Sequence, residues 1–205
     1  MVQIVIATGN PGKRQEYKAL LGQLPVTLVM PDDLGLSLHV DEHGATFDEN
    51  AVLKALAYAR AADMPALADD SGLEVDVLGG FPGIHSARWA GPTDEDRVRA
   101  LLAKMEAVPW ARRQARFVCA VALVTPLGHV VTALGTVDGR ILFAPRGNGG
   151  FGYDPIFYVA EVARTMAELS PEEKNRLSHR GRAARAIRPH IESLLGFTPP
   201  PAPPS

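Results

Sequence analysis

VQIVIATGNPGK, residues 2–13, joins a short apolar run to a segment that forms a turn. The run over residues 2–7 contains several β-branched side chains and is typical of a buried β-strand. Gly9, Asn10 and Pro11 end it, because such residues mark turns. Apolar residues then recur at helical spacing, at Tyr17, Leu20, Leu21 and Leu24. A strand, a glycine-containing turn and a helix in this order predict the opening of an α/β domain.

Further helices are predicted downstream. Residues 47–62 are rich in alanine and place apolar side chains on one face, and residues 96–105 show a similar pattern. Ser170-Pro171-Glu172-Glu173 is a strong helix start, because the serine can cap, the proline suits the first helical position and the second glutamate completes a capping box.

Extended segments lie between these helices. A short strand over residues 66–68 is predicted to end at the Asp69-Asp70 pair, and residues 73–78 are predicted to form a separate strand. Residues 116–125 and 129–137 are long strand candidates on either side of a glycine, which predicts a hairpin.

The composition is that of an ordinary folded domain. Of the 205 residues, 46% are hydrophobic and 21% are charged, and the formal net charge is −2. We expect one domain over residues 1–197 and a mobile, proline-rich tail over residues 198–205. The near-neutral charge gives no reason to expect a nucleic-acid partner, which requires a basic face.

The chain has one cysteine, Cys119, which excludes an internal disulfide and a cysteine zinc cluster. Its apolar surroundings, residues 117–124, predict a buried strand residue and not a nucleophile. That run is far shorter than the ~20 residues of a membrane span, and the N-terminus lacks the basic and apolar regions of a signal peptide. We therefore expect a soluble, cytoplasmic protein with no membrane partner.

The turn at residues 8–13 is a candidate polyphosphate site. Backbone N–H groups and a helix N-terminus form a ready anion site, and Lys13 adds a positive charge. The segment is not a Walker A loop, because Arg14 stands where serine or threonine is required. An ordinary strand-to-helix turn with a solvated lysine explains the local sequence equally well.

Acidic residues offer a second kind of chemistry. Asp69 and Asp70 would need a partner near a core, and Mg²⁺ prefers carboxylate oxygen. One of these carboxylates could instead accept a proton from water. Glu42 could reach a metal from its loop and Lys54 could face a phosphate. The alternatives are an Asp-rich turn bonded to its own backbone and a solvated helix face, and the latter is the preferred interpretation for Glu49.

Two later segments suit a nucleoside. Residues 147–152 formally fit GxGxxG, but neither the strand nor the helix of a dinucleotide fingerprint flanks them. Phe151 and Tyr153 could instead stack on a flat ring. His179 and Arg180 are donors for a carbonyl oxygen or a phosphate, although a basic helix surface is the simpler interpretation.

Together and in this order, these segments resemble the inosine triphosphate pyrophosphatase family, also called non-canonical purine NTP pyrophosphatases (Ham1-like). The matching segments are TGNPGK at 8–13, TFDENA at 46–51, ADDSGLEV at 68–75, PGIHSAR at 82–88, GFGYDPIF at 150–157, and EKN and SHRG at 173–175 and 178–181. The resemblance runs over residues 2–195 and leaves out only the tail.

The resemblance implies a fold and a reaction. The fold would be an elongated, mixed β-sheet flanked by helices, with two lobes and a central substrate cleft. The reaction would be hydrolysis of ITP, dITP or XTP to the monophosphate and pyrophosphate, which removes deaminated bases from the nucleotide pool. Mg²⁺ and a homodimer are also implied.

The resemblance also assigns roles. Asp70 would accept the proton and contact the metal, and Glu42 would be a further metal ligand. The implied substrate-binding residues are Thr8, Gly9, Asn10, Pro11, Gly12, Lys13, Lys54, Ser71, Phe151, Gly152, Tyr153, Asp154, Lys174, His179 and Arg180. Within that set, residues 8–13 would hold the triphosphate, residues 151–154 the nucleoside, and His179 or Arg180 would bond the 6-oxo group.

Two other functions stay open at this stage. A pyrimidine-selective pyrophosphatase of related fold would share much of the phosphate chemistry, and a substrate panel separates it. A nucleotide sensor would bind without turnover, although a pure anion binder gains nothing from two carboxylates beside phosphate.

Overall fold

The computed structural model describes residues 2–194. The strands are β1 (Val2–Ile6), β2 (Val26–Val29), β3 (Ala66–Val75), β4 (Gln114–Val124), β5 (Val130–Ile141), β6 (Phe157–Val159) and β7 (Arg164–Thr165). The α-helices are α1 (Pro11–Leu21), α2 (Phe47–Ala62), α3 (Asp94–Lys104), α4 (Pro171–Leu177) and α5 (His179–Leu194). The predicted tail over residues 198–205 lies outside the described residues.

All the strands belong to one mixed sheet with the order β2-β1-β3-β4-β5-β6-β7. β1 pairs in parallel with β2 and β3, and every later pairing is antiparallel. The predicted hairpin is confirmed as β4 and β5, and Gly128 in its turn has φ +85°, a conformation that favours glycine. The mixed α/β sheet expected from the sequence is therefore present.

β3 corrects one prediction. It runs unbroken from Ala66 to Val75 and pairs with β4 along its whole length, so Asp69 and Asp70 lie inside a strand. The predicted strand end at this pair and the separate strand over residues 73–78 are both wrong. Pairing with β4 supplies hydrogen bonds for the backbone N–H and C=O groups of this segment. Other side chains neutralise or bond the two carboxylates, so the acidic pair does not need a turn to be accommodated.

Local capping sets the helix starts. Asn10 accepts a hydrogen bond from the Lys13 amide at the start of α1. Thr46 caps α2, which runs from Phe47 to Ala62 as predicted. The predicted capping box of Ser170 and Glu173 is confirmed at α4. The sequence did not predict α5, which begins directly after α4 and contains Pro189.

Three hydrophobic clusters form the core. α1 and α5 cover one face of β1 and β4, and α2 covers the other, because alternate residues of a strand point to opposite faces. The third cluster contains Leu73 and Val75 at the far end of β3 and packs against α3 and β6. Residues 69–72 of β3 lie between the third cluster and the other two, as the predicted two-lobed fold requires.

Cys119 is buried on β4, as predicted. None of the helices in residues 2–194 combines the length and the apolar character needed to cross a membrane.

Candidate active site

A cavity of about 740 Å³, called here the central cavity, opens at the end of β1 and the middle of β3. Its walls include nearly all the predicted site residues: Thr8, Gly9, Asn10, Lys13, Glu42, Lys54, Asp70, Ser71, Phe151, Gly152, Tyr153, Asp154, Lys174, His179 and Arg180. Pro11 and Gly12 are the exceptions. A Cβ at Gly12 would lie 2.6 Å from Cδ1 of Phe151, so this glycine lets the aromatic ring pack against α1.

Lys13 is the main cation at the β1 end of the cavity. The Asn10 side chain accepts from its amide at 3.0 Å, and the loop therefore leads directly into α1. The Lys13 Nζ atom lies 2.9 Å from Oδ2 of Asp69, and its side chain is only 15% exposed. The alternative of a solvated lysine on a plain turn is therefore wrong.

Asp70 accepts hydrogen bonds from neutral donors, whereas Asp69 is paired with a cation. Its Oδ2 accepts from Nδ2 of Asn50 and its Oδ1 accepts from the Ser71 amide, both at 3.0 Å. Burial raises the pKa of Asp70, and the positive charge of Lys13 opposes that effect. This carboxylate is held by neutral donors and faces the cavity.

Glu42 lies on the same cavity wall. Its Oε1 is 2.7 Å from Nζ of Lys54, and Arg88 contacts the other oxygen at 3.4 Å. Glu49 points elsewhere, since its carboxylate accepts from the Ala45 amide at 2.7 Å beside the start of α2. Of the two glutamates, Glu42 is the one that faces Asp70's cavity.

These carboxylates suit a magnesium ion. Residues 2–194 contain no cluster of three or more His, Cys, Asp or Glu side chains arranged to hold a metal. Mg²⁺ does not require such a cage, because it is usually bound by one or two carboxylates together with water and substrate phosphate. The hard oxygen donors of Asp70 and Glu42 fit that mode of binding.

Another part of the cavity wall is aromatic and basic. The Phe151 ring has Nζ of Lys174 at 4.6 Å and Cζ of Arg180 at 5.5 Å from its centroid. His179 stacks on Phe117 with ring centroids 4.7 Å apart. Burial, with the positive charges of Arg180 and Lys174, lowers the pKa of His179 well below its usual value, so the imidazole is neutral.

The loop that carries Phe151 is anchored. Asp154 accepts from the Phe151 amide at 2.9 Å and from Nζ of Lys174 at 2.5 Å. Tyr153 is 4% exposed, and its hydroxyl donates to the Ser86 carbonyl at 2.8 Å. Tyr153 thus forms a fixed part of the wall, whereas the Phe151 ring is the more accessible aromatic surface.

Similarity to known proteins shows the family of this chain. The family model described as the Ham1 family matches residues 4–190. The chain belongs to the Ham1 family. A dITP/XTP pyrophosphatase of Thermus thermophilus is 52% identical over 200 residues, which cover 97% of this chain and 95% of that protein. The dITP/XTP pyrophosphatase of Geobacter sulfurreducens is 48% identical over 193 residues, 93% of this chain and 97% of that protein.

Solved structures of Ham1 proteins have the same fold. The Staphylococcus aureus Ham1 protein matches with a TM-score of 0.83 and 41% identity, covering 94% of this chain and 99% of that one. The HAM1 protein from Coxiella burnetii also has a TM-score of 0.83, with 40% identity over 96% of this chain and 99% of that one.

Sequence reasoning gave Asp69 of this Ham1 protein no role separate from that of Asp70, and it missed Glu16. Asp69 contacts Lys13 and Arg180, while Glu16 on α1 contacts Arg180 and lies 2.8 Å from Nζ of Lys174. Burial opposes ionisation of both, but the surrounding cations prevail and hold the pKa of Asp69 and of Glu16 below the usual range. Lys174 and Arg180 are therefore buried ion-pair partners, and the basic-surface interpretation is wrong.

Asn50 also acts in the site without having been assigned there. Its side chain is fully buried and bonds Asp70, and the TFDENA segment was the sequence signal that contained it. No local signal marked Glu16, because its partners come from α4 and α5, far along the chain.

Proposed function

We propose that this Ham1 protein hydrolyses non-canonical purine nucleoside triphosphates, namely ITP, dITP and XTP, to the monophosphate and pyrophosphate. The observation that carries the proposal is the meeting of Lys13, Asp70 and Arg180 in one cavity. A cation for phosphate, a carboxylate held by neutral donors and a donor-rich aromatic pocket are the parts this reaction requires. The relatives from Thermus thermophilus and Geobacter sulfurreducens are dITP/XTP pyrophosphatases, which supports dITP and XTP as substrates.

The triphosphate binds at the β1 end of the cavity. The backbone of residues 8–10, which leads into the N-terminus of α1, favours an anion there. Lys13 and Lys54 supply positive charge from α1 and α2. Both lysines are already partly desolvated, so their attraction to phosphate is less weakened by water.

Asp70 is the general base. It orients a water molecule toward the α-phosphorus and takes its proton, and the bond from that phosphorus to the bridging oxygen breaks to release pyrophosphate. The Asn50 amide and the Ser71 N–H fix the carboxylate in one orientation. Asp70 and Glu42 would hold Mg²⁺ when it is bound, and the ion would supply a Lewis acid that neutralises phosphate oxygens.

Base selectivity follows from the donors His179 and Arg180. A 6-oxo purine presents an acceptor, while adenine presents an amine to the same donors. Arg180 is 1% exposed and His179 is 5% exposed, so a mismatched group there stays unpaired. Each such mismatch costs about 1–3 kcal/mol. Lys174 and the Phe151 ring complete the pocket that holds the nucleoside.

The family resemblance also supports a homodimer that works in the cytoplasm on the free nucleotide pool. Light scattering of the purified protein tests the dimer directly, and a mass of about 44 kDa, twice the chain mass of 21.9 kDa, is expected. A monomer at micromolar concentration contradicts it.

The test of function is a substrate panel. Purified protein and Mg²⁺ are incubated with ITP, XTP, dITP, GTP, ATP and dTTP, and pyrophosphate and orthophosphate are assayed separately. We expect pyrophosphate and monophosphate from ITP, XTP and dITP, with little turnover of ATP. Preference for dTTP identifies a pyrimidine-selective enzyme, binding without turnover identifies a sensor, and either result overturns the proposal.

A further inference from the structure

We propose that Asp69 couples Lys13 to Arg180 in the central cavity, so that phosphate binding at Lys13 strengthens base binding at Arg180. Asp69 is a positioning residue in this scheme and touches no substrate. The inference rests on the proposed function, because it takes Lys13 as a phosphate ligand and Arg180 as a base ligand.

A single oxygen of Asp69 is shared between two cations. Its Oδ2 lies 2.9 Å from Nζ of Lys13 and 3.4 Å from Nε of Arg180. The Cys119 thiol donates to the same oxygen at 3.7 Å, while Oδ1 has no hydrogen-bond partner within residues 2–194. The side chain of Asp69 is 0% exposed, so water does not screen these contacts.

The carboxylate cannot follow either cation. It stands in the middle of β3, where the ladder with β4 fixes the backbone. Strand alternation sends Asp69 toward α1 and α5 and sends Asp70 toward Asn50 on α2. The adjacent carboxylates therefore have separate tasks, Asp70 at the reacting centre and Asp69 between Lys13 and Arg180.

Competition for Oδ2 supplies the coupling. A phosphate that draws Lys13 away removes one of the two cations, and Asp69 then interacts more strongly with Arg180. The Arg180 contacts of 3.4 and 3.5 Å are longer than the ~2.7–2.9 Å of a strong charge-assisted bond, so they have room to shorten. Arg180 is then held more firmly in the pose in which Ser71, Asp69 and Glu16 accept from it.

Thermodynamic linkage requires the reverse effect as well. A base that favours the Asp69-bound pose of Arg180 also frees Lys13, and it raises the affinity for phosphate by the same factor. Such coupling reserves tight binding for a molecule that carries both a 6-oxo purine and a phosphate chain. The free nucleoside or pyrophosphate alone gains only its own contacts.

The test measures binding without turnover. Calorimetry gives the affinity of inosine with and without saturating inorganic pyrophosphate, with adenosine as the comparison base. In the wild type we expect pyrophosphate to tighten inosine binding by about fivefold or more, as typical couplings do, and to leave adenosine unchanged. In Asp69→Asn we expect pyrophosphate to have no effect on inosine.

Lys13→Met provides a second route if Asp69→Asn does not fold. Without this cation, Lys13 no longer competes with Arg180 for Oδ2 of Asp69. The affinity for inosine alone should therefore rise to the value that the wild type shows in the presence of pyrophosphate. Lys18→Met, an exposed lysine of the same helix, is the matched control and should leave inosine affinity unchanged. If Lys13 only bound phosphate, its removal would not raise the affinity for a nucleoside.

Two results overturn the coupling. One is the same inosine affinity with and without pyrophosphate in the wild type, and the other is an undiminished pyrophosphate effect in Asp69→Asn. Turnover of ITP is measured separately, so an active enzyme without coupling refutes only this inference. A protein that does not hydrolyse ITP refutes the proposed function.

Discussion

Asp69 and Asp70 carry the same carboxylate group next to each other in the chain, but their surroundings in the structure are different. One carboxylate is fully buried among cations, and the other accepts from an amide and a backbone N–H at the cavity wall. The difference arises because successive residues of β3 face opposite sides of the sheet. At the scale of single residues, position on the strand decides which carboxylate is available to a water molecule.

Asp70→Asn tests the assignment of the general base. The amide keeps the size of the side chain but cannot take a proton, so pyrophosphate release should fall by about 10²–10⁴-fold, the usual contribution of such a group. Release is measured under saturating ITP, and circular dichroism checks the fold. Asp63→Asn, at the exposed end of α2, is the control and should retain the wild-type rate. A near-normal rate in Asp70→Asn would remove Asp70 from catalysis.

His179 predicts a pH dependence of stability. Burial and the nearby cations hold its pKa well below the value of about 6.5 that it has in the unfolded chain. As pH falls below that value, only the unfolded state takes up the proton, so the folded state loses stability. Between pH 7.5 and 5.5 the wild type should lose roughly 1 kcal/mol more than His179→Gln.

Urea unfolding at the two pH values measures this difference. His129→Gln changes an exposed histidine of the β4–β5 turn and should leave the pH dependence as in the wild type. Equal losses in the wild type and His179→Gln would show that the folded protein protonates this imidazole normally.

At the scale of elements, a buried arginine joins α3 to the sheet. Arg113 is 1% exposed and bonds backbone carbonyls only: Nε to Ile141 at 2.7 Å, Nη1 to Met105 at 2.7 Å and Val108 at 3.1 Å, and Nη2 to Leu142 at 2.9 Å. β4 begins at the next residue, Gln114. The side chain thus closes the end of α3 onto the end of β5, next to the third hydrophobic cluster.

Arg113→Met should destabilise the fold by at least about 3 kcal/mol, because it leaves several buried carbonyls without donors. Arg112→Met removes the exposed neighbouring arginine and should change the free energy of unfolding by less than about 0.5 kcal/mol. Urea unfolding of both variants measures the contrast. A loss below about 1 kcal/mol in Arg113→Met would mean that other donors replace the guanidinium.

At the scale of the whole molecule, the site joins the two ends of the described chain. Lys13 comes from α1, whereas Lys174 and Arg180 come from α4 and α5. Glu16 and Arg180 are in contact although 164 positions separate them. The cavity therefore exists only when the N-terminal and C-terminal elements are packed on the same sheet.

Ligand binding should for that reason stabilise the entire fold. With EDTA present to prevent turnover, ITP at a hundred times its Kd should add about 2.7 kcal/mol. This corresponds to a rise in Tm of about 5–10 °C for a chain of this size. Calorimetric scanning should show one transition that moves as a whole, and ATP at the same concentration should move it less. Two separate transitions, with only one responsive to ITP, would contradict this expectation.

Short-range features were determined by the sequence itself. The β1 turn into α1, the bounds of α2, the capping box of α4 and the β4–β5 hairpin follow from periodicity, caps and turn residues within a few positions of each other. The order of the motif segments also identified the family and most of the residues that line the cavity.

Only the tertiary structure decided how those residues are paired. It placed Asp69 between Lys13 and Arg180, turned Glu42 and not Glu49 toward the cavity, and brought in Glu16 as an anchor. The 111 positions between Asp69 and Arg180 leave no local pattern. The ion pairs form because packing of α1 and α5 on one face of the sheet removes these charges from water, and a buried charge requires a partner.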